Sequence, residues 1–105
     1  MNKKQLGDFG EKIACKYLKR LNYKLIETNF RSKQGEIDII AEDNKELVFI
    51  EVKTRHNTKY GKAIEAVNYQ KQKHIYKTAE YYIYKNSIKN TRNKIWYNWS
   101  LYYKI

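Results

Sequence analysis

Apolar residues recur along this chain with two different periods. Near the N-terminus they are spaced by three and four, which predicts an amphipathic helix over about residues 4–21. Asn22 is suited to end this helix because asparagine tolerates the left-handed conformation of a C-terminal cap. The helical period returns from about residue 63 to residue 84, where lysines surround an apolar stripe, and predicts a second helix.

The remaining apolar segments have the composition and alternation of strands. YKLIETNF (23–30) predicts a first strand, followed by RSKQG as a basic connection. GEIDIIA (35–41) and LVFIEVKT (47–54) predict two more strands, and the short polar break between them is typical of a hairpin. IWYNWSLYYKI (95–105) alternates cleanly and predicts a fourth strand.

This order of elements predicts an α/β fold. The chain reads helix, three strands, helix, strand, and the crossover through the second helix allows the last strand to run parallel to the third. We therefore expect a mixed sheet flanked by helices. The 105 residues are enough for one domain, and the lack of proline and the four glycines give no sign of an interdomain linker.

Composition indicates the cellular setting. The single cysteine, Cys15, excludes an internal disulfide and fits a reducing compartment. The charged start MNKKQLGDFGEK does not resemble a signal peptide, and no apolar run reaches the roughly 20 residues that span a bilayer. These features predict a cytoplasmic protein that does not bind a membrane.

The formal charge of +11 favours an anionic partner. Nucleic acid is the commonest such partner for a basic domain of this kind. The chain is also rich in lysine, asparagine, isoleucine and tyrosine together, a bias that AT-rich coding imposes without any selection for binding. Charge alone leaves both explanations open.

Three ionisable residues interrupt the two strands of the predicted hairpin. If residues 43–46 form the turn, Glu42 faces Leu47 and Asp38 lies opposite Glu51 on the same face. Opposed residues in an antiparallel pair have Cβ atoms about 4.5–5.5 Å apart. Two carboxylates at that separation repel each other unless a proton or a cation lies between them. Mg²⁺, which prefers oxygen ligands and retains several waters, fits this position.

Lys53 and Glu11 extend this candidate site. Lys53 follows Glu51 by two residues and so points to the same face, where its ammonium group is able to hold a scissile phosphate and the attacking water. Glu11 lies at the edge of the apolar stripe of the first helix. If that helix packs across the same face, Glu11 is placed to complete the outer shell of the ion through a water.

A simpler interpretation treats Glu51 and Lys53 as solvated residues on an exposed sheet face. Leu47 and Phe49 share their face, however, while Val48 and Ile50 line the other face. A strand that is apolar on both faces is expected to be covered on both sides. The charges at its C-terminal end then mark the edge of a cleft, although the pattern alone leaves both interpretations open.

Four segments together resemble a known family. They are GDFGEKIACKYL (7–18), NFRSKQGEIDII (29–40), FIEVKTR (49–55) and GKAIEAV (61–67), the last placed before a lysine-rich helix. This set is similar to the small uncharacterised bacterial YraN family, which is placed in the PD-(D/E)XK nuclease superfamily and resembles archaeal Holliday-junction resolvases. The resemblance runs from about residue 5 to residue 84.

The resemblance implies a fold, an activity and a set of site residues. The fold would be restriction-endonuclease-like, and the activity would be Mg²⁺- or Mn²⁺-dependent hydrolysis of phosphodiester bonds. Asp38 would be the aspartate of the motif, here preceded by isoleucine instead of proline. Glu51 and Lys53 would be the E-x-K pair, and Glu11 the helix glutamate of resolvase-like members. The catalytic set is therefore Asp38, Glu51, Lys53 and Glu11, and the metal ligands are Asp38, Glu51 and Glu11.

The C-terminal segment departs from the family pattern. The family ends with a strand that combines a basic residue, an aromatic residue and an aspartate, and NTRNKIWYNWSLYYKI contains no such combination. We therefore expect a single nuclease-like domain over residues 1–105 in which residues 88–105 differ from the family.

Basic residues in the segments that flank the predicted cleft are candidates for phosphate contacts. They are Arg31, Lys33, Arg55, Lys71 and Lys73, with Lys59 and Lys62 in the intervening loop. The alternative for each of them is a solvated side chain, and His74 is likewise expected to be a surface residue.

Three functions remain compatible with the sequence. The first is a metal-dependent nuclease acting on branched or otherwise structured DNA, with DNA favoured over RNA and a two-fold dimer expected for symmetric junction cleavage. The second is a non-catalytic nucleic-acid-binding module with a nuclease-like fold. The third is a protein-interaction domain whose charge follows from coding bias.

Overall fold

The computed structural model describes residues 2–55, 69–88 and 92–102, with side chains described for residues 2–54 and 73–88. Its elements follow the predicted order of helix, three strands, helix and strand. They are α1 (Lys3–Arg20), β1 (Lys24–Ser32), β2 (Gly35–Asp43), β3 (Glu46–Arg55), α2 (Tyr69–Lys85) and β4 (Arg92–Tyr102). Residues 56–62, the predicted helical residues 63–68 and the last residues of the fourth strand lie outside the described part of the chain.

Helix α1 is capped at both ends by asparagine. Asn2 accepts a hydrogen bond from the backbone N–H of Gln5 (2.8 Å), and its own N–H donates to the Gln5 side chain (2.9 Å), which forms a capping box. At the other end Asn22 has a φ of 67° and the Tyr23 N–H donates to the Leu18 carbonyl (2.9 Å). Both predicted boundaries of this helix are confirmed to within one residue.

The four strands form one sheet in the order β1-β2-β3-β4. Strands β1, β2 and β3 are antiparallel, and β4 pairs parallel to β3, as the crossover through α2 predicts. The prediction that the connection after β1 begins at Arg31 was wrong, because Arg31 pairs with Glu36 and Ser32 pairs with Gly35 in the sheet. The turn is therefore shorter, and Gly35, with a φ of 144°, accommodates the sharp change of direction.

The sheet has a packed core on each face. On one face α1 contributes Ala14 and Leu18, which pack with residues of β2 and β3. On the other face α2 contributes Ala79 and Tyr82, whose ring meets Phe30 and Phe49 edge-to-face at centroid distances of 5.1 and 6.0 Å. The prediction that β3 is covered on both sides is confirmed.

Close approach of α1 to the sheet depends on Gly10. A Cβ atom at this position would overlap the Oγ1 atom of Thr54 and lie 3.0 Å from its Cβ. The helix therefore reaches the C-terminal end of β3 only because residue 10 has no side chain. Within the described residues, no helix combines the length and apolar character needed to cross a membrane.

Candidate metal-dependent cleavage site

A tight turn fixes the register of the β2–β3 hairpin. Asn44 and Lys45 have φ values of 50° and 69°, so both central residues of the turn are left-handed, as a type I′ hairpin requires. The pairs that follow are Asp43–Glu46 and Glu42–Leu47, and pairing continues to Ile39–Ile50. The predicted register, in which Glu42 faces Leu47, is confirmed.

The ladder ends immediately before the acidic residues. Ile39–Ile50 is the last pair, and beyond it the Val52 N–H donates to Oδ2 of Asp38 at 2.7 Å. Hydrogen-bonded pairs alternate in an antiparallel ladder, so Val52 is the next residue of β3 whose N–H points toward β2. The Asp38 carboxylate takes the place of a backbone carbonyl at this position. The sequence predicted that Asp38 and Glu51 form a regular cross-strand pair, but the ladder ends before them. The two residues instead flank the point where β2 and β3 separate.

The alternation of side chains along β2 reverses around Asp38. Ile37 packs in the cluster beside α2, whereas Ile39 packs in the cluster beside α1, although an undistorted strand places residues two apart on one face. The neighbouring strand is distorted at the same level, since Asn29, between the pairs Thr28–Ile39 and Phe30–Ile37, has a φ of 54°. This local twist turns the Asp38 side chain toward β3.

One cleft lies at this open end of the hairpin. It has a volume of about 410 Å³, and Asp38, Glu51 and Lys53 all line it, together with His74 and Ile75 of α2. Oε1 of Glu51 is buried. Phe49 precedes Glu51 on the same face of β3 and packs against α2, so the two charged residues of β3 continue the face that this helix covers. The structure thus brings three of the four predicted catalytic residues into one cleft.

Glu11 lies on the other side of the sheet end. Helix α1 packs against the face that carries Val48 and Ile50, so the condition that it cross the face of Glu51 is not met. Glu11 instead lines a groove between α1 and β1. Burial raises the pKa of Glu11, the negative charge of Asp38 raises it further, and a hydrogen bond with Asn29 lowers it. Glu11 is therefore within electrostatic reach of Asp38 without lining the same cleft.

The donor atoms at the cleft suit a hard divalent cation held by few protein ligands. Among the described residues, no group of three or more histidine, cysteine, aspartate or glutamate side chains is close enough to hold a metal ion. The predicted three-carboxylate set is thus not assembled. Asp38 and Glu51 remain as two oxygen donors on one cleft, and Mg²⁺ is commonly bound through one or two carboxylates with waters in the remaining positions.

The predicted phosphate-binding residues occupy different environments. Arg31 forms an ion pair with Glu36 (3.4 Å), and both side chains are exposed. Lys33 and Lys73 are exposed on the β1–β2 turn and on α2. The side chains of Arg55 and Lys71, and residues Lys59 and Lys62, lie outside the described part of the chain. Their roles stay predictions.

Comparison with known proteins places the chain in a family. Residues 10–96 match the model of the uncharacterised protein family UPF0102. The chain belongs to this family. It is 55% identical over 87 residues to a UPF0102 protein of Clostridium botulinum strain 657, covering 83% of this chain and 71% of that protein. It is 50% identical over 91 residues to a UPF0102 protein of Clostridioides difficile strain 630, covering 87% and 80%.

The UPF0102 match extends beyond residue 84, where the resemblance noted in the sequence ends, and includes the start of β4. It also spans all of β1, β2 and β3, which carry or border the cleft. The names of the relatives give the family and no activity, so the chemistry of this UPF0102 protein rests on its own residues.

Sequence reasoning missed two residues at the cleft of this UPF0102 protein. His74 is exposed, as the sequence predicted, but its place in the lining of the cleft was not predicted. Gly35 permits this placement, because a Cβ atom there would lie 2.9 Å from Oγ1 of Thr78 and 3.6 Å from Cβ of His74. A glycine in a strand often marks the close approach of another segment, but the sequence does not show that α2 is that segment.

Proposed function

We propose that this UPF0102 protein is a metal-dependent nuclease that hydrolyses phosphodiester bonds of DNA, with branched or otherwise structured DNA as the substrate class implied by the family resemblance. The observation that carries this proposal is the joint presence of Asp38, Glu51 and Lys53 on one cleft at the end of the β2–β3 ladder. Two carboxylates are able to hold a divalent ion and an ammonium group is able to offset charge on a phosphate, so this set is suited to metal-assisted phosphodiester hydrolysis.

The architecture supports a restriction-endonuclease-like fold of the PD-(D/E)XK superfamily. The order α-β-β-β-α-β and a mixed sheet with one helix on each face agree with that assignment. The motif aspartate and the E-x-K pair fall on adjacent central strands, at the end where these strands separate. The positions expected from the superfamily motif therefore coincide with a cleft in the structure.

Each residue of the cleft has a distinct part in the proposed reaction. Asp38, oriented by the Val52 N–H, and Glu51 would hold Mg²⁺ or Mn²⁺. When bound, such an ion lowers the pKa of its water and offsets the charge that develops on the phosphate. Lys53 lines the same cleft, and its ammonium group would stabilise the charge on the scissile phosphate. Glu11 lies on the other side of the sheet end and lines a different groove, so the proposal gives it no contact with the ion.

The test is a cleavage panel of branched, nicked, single-stranded and double-stranded DNA with Mg²⁺ or Mn²⁺. We expect metal-dependent products from at least one substrate. Lys53→Ala is expected to lower the rate by about 10²–10³-fold, the usual cost of removing one charge-stabilising group. Lys77→Ala, an exposed lysine of α2, is the matched control and should cleave normally. Equal cleavage by Lys53→Ala and Lys77→Ala would assign the activity to another site.

A second candidate function is favoured by one observation. Glu11, the third ligand that the resemblance implies, lines a different groove from Asp38 and Glu51, and a site with fewer ligands than the family implies suits a module that binds nucleic acid without cutting it. This alternative predicts salt-sensitive binding that survives Asp38→Asn and Lys53→Ala, with no product at any metal concentration. A rate of cleavage that depends on Lys53 excludes it.

A further inference from the structure

A second concave surface lies on the opposite side of the sheet from the cleft. It is a groove of about 500 Å³ between α1 and β1. We call it the α1–β1 groove. Its α1 wall carries Lys12, Lys16 and Lys19, and its β1 wall carries Thr28 and Asn29. None of these residues takes part in the chemistry proposed for the cleft.

The three lysines form a continuous basic row. Their spacing of four and three residues places them on one flank of the helix, with successive rises of about 6 and 4.5 Å along its axis. All three are exposed. Within the described residues none of them forms an ion pair.

The opposite wall of the groove belongs to an edge strand. β1 is the first strand of the sheet, so within the described strands it has a partner only on its β2 side. Thr28 is exposed there and supplies a hydroxyl that hydrogen-bonds readily to phosphate and sugar oxygens. Asn29 is also exposed, and its side chain forms a hydrogen bond with Glu11. The groove therefore combines a row of positive charges with neutral hydrogen-bonding groups, which is the composition of a phosphate-backbone site.

One end of the groove adjoins the acidic cleft. Glu11 lines the groove one residue before Lys12, and Asn29, also in the groove, lies between the pairs Thr28–Ile39 and Phe30–Ile37, level with the cleft residue Asp38. Asp8 also lies at this N-terminal end. The lysines occupy the remaining length, so the surface changes from basic to acidic in the direction of the cleft.

We propose that the α1–β1 groove binds the sugar–phosphate backbone of a nucleic-acid strand through Lys12, Lys16 and Lys19 and leads that strand to the cleft. This inference rests on the proposed nuclease function for the destination of the strand, but the groove binds independently of cleavage. The occupant follows from charge complementarity, because consecutive phosphates present a row of negative charges to a row of lysines. The lysines bind the backbone, so affinity is independent of base sequence.

The test compares two triple variants of the full chain. The first carries Lys12→Gln, Lys16→Gln and Lys19→Gln, and the control carries Lys3→Gln, Lys4→Gln and Lys77→Gln, three exposed lysines outside the groove. Both lose the same charge, and glutamine and lysine have similar helix propensities, so both are expected to fold. The probe is a fluorescein-labelled single-stranded oligonucleotide, and the readout is its anisotropy from about 50 to 200 mM salt without divalent cations.

We expect the groove variant to bind about tenfold more weakly or worse. The slope of log affinity against log salt should become less negative by about 2–3. This change corresponds to roughly 0.7–0.9 for each phosphate that a lysine no longer neutralises. The control variant should keep most of the affinity. Equal reductions of affinity in the two variants would overturn the proposal, since they would show an effect of net charge alone. Binding is measured without divalent cations and requires no product, so failure of the groove and failure of the nuclease are distinguished.

A second readout uses the single cysteine of the chain. Cys15 lines the groove, and burial followed by the charge of Glu11 raises the pKa of its thiol. A raised pKa leaves less of the reactive thiolate, so Cys15 reacts slowly with a maleimide. Because the chain has one cysteine, the reaction is assigned to this residue. We expect the bound oligonucleotide to slow this reaction severalfold in the unmodified protein and not in the groove variant. An unchanged rate at saturating oligonucleotide would place the strand elsewhere and refute the proposal.

Discussion

The two ends of the β2–β3 hairpin differ in what holds the strands together. At the turn end, backbone pairing is regular from Asp43–Glu46 onward and left-handed residues close the strands tightly. At the other end, pairing stops at Ile39–Ile50 and a side chain, Asp38, supplies the next hydrogen bond to β3. The closed end is specified by backbone geometry, and the open end is held by a carboxylate.

This difference shows how a local turn positions a distant site. The register set at the turn is carried by the buried residues between the two ends, among them Phe49 and Ile50, which are fully inaccessible to solvent. A slip of one residue would send every side chain to the opposite face. The placement of Glu51 and Lys53 on the cleft therefore depends on packing in the middle of the hairpin as much as on the cleft itself.

The largest expected effect comes from removing that packing. Phe49→Ala should lower the free energy of unfolding by about 3–5 kcal/mol, because it deletes a fully buried ring that meets Tyr82 and leaves a cavity. Urea denaturation followed by circular dichroism measures the change. Tyr84→Ala, at a side chain that is 82% exposed, is the matched aromatic control and should shift stability by less than about 0.5 kcal/mol.

At the open end, the loss of stability on substitution of Asp38 should depend on whether the Val52 N–H keeps a hydrogen-bond acceptor. Asp38→Ala removes the acceptor and is expected to cost about 1–3 kcal/mol of unfolding free energy. Asp38→Asn retains an amide oxygen able to accept the same bond, and its stability should remain within about 1 kcal/mol of the unmodified protein. Equal stabilities of the two variants in urea would show that the side chain does not hold β3.

At the closed end, one substitution should increase stability. Lys45 has a φ of 69°, a conformation that glycine adopts without the steric cost of a side chain. Lys45→Gly should raise the unfolding free energy by about 0.5–1 kcal/mol, since Asn-Gly is the favoured pair of a type I′ turn. Asn44→Gly should give a smaller gain, because asparagine already tolerates this conformation. Thermal denaturation of both variants measures the difference.

The smallest expected effect is a pH-dependent change in stability when Glu11 is replaced. The pKa of Glu11 is raised by burial and by Asp38, so folding favours its protonated form. The contribution of Glu11 to stability is therefore fully present below the pKa of the unfolded chain and is lost as pH rises through the folded pKa. Glu11→Gln keeps an oxygen for the bond with Asn29 and should become more stable than the unmodified protein as the pH rises above about 4.3, the ordinary pKa of glutamate. A melting-temperature difference that grows as the pH falls would contradict this sign.

The sequence predicted local features well and contacts between distant segments poorly. The ends of α1 and the Glu42–Leu47 register follow from caps and turn length, which are encoded by adjacent residues. The bond from Val52 to Asp38, and the reversal of faces between Ile37 and Ile39, were not predictable from a two-residue period. They depend on the distortion at Asn29 in a neighbouring strand. The position of His74 depends in turn on how closely α2 approaches Gly35.

The most direct test of the nuclease site is cleavage of labelled DNA by the unmodified protein and by Asp38→Asn, with Mn²⁺ and under conditions where both bind the DNA equally. Asp38→Asn keeps the acceptor for β3 but removes the negative charge that would hold the cation. We predict Mn²⁺-dependent products from the unmodified protein and a loss of more than about a hundredfold in the variant. Equal cleavage by the two proteins would contradict the assignment of the open end of the hairpin as the catalytic site.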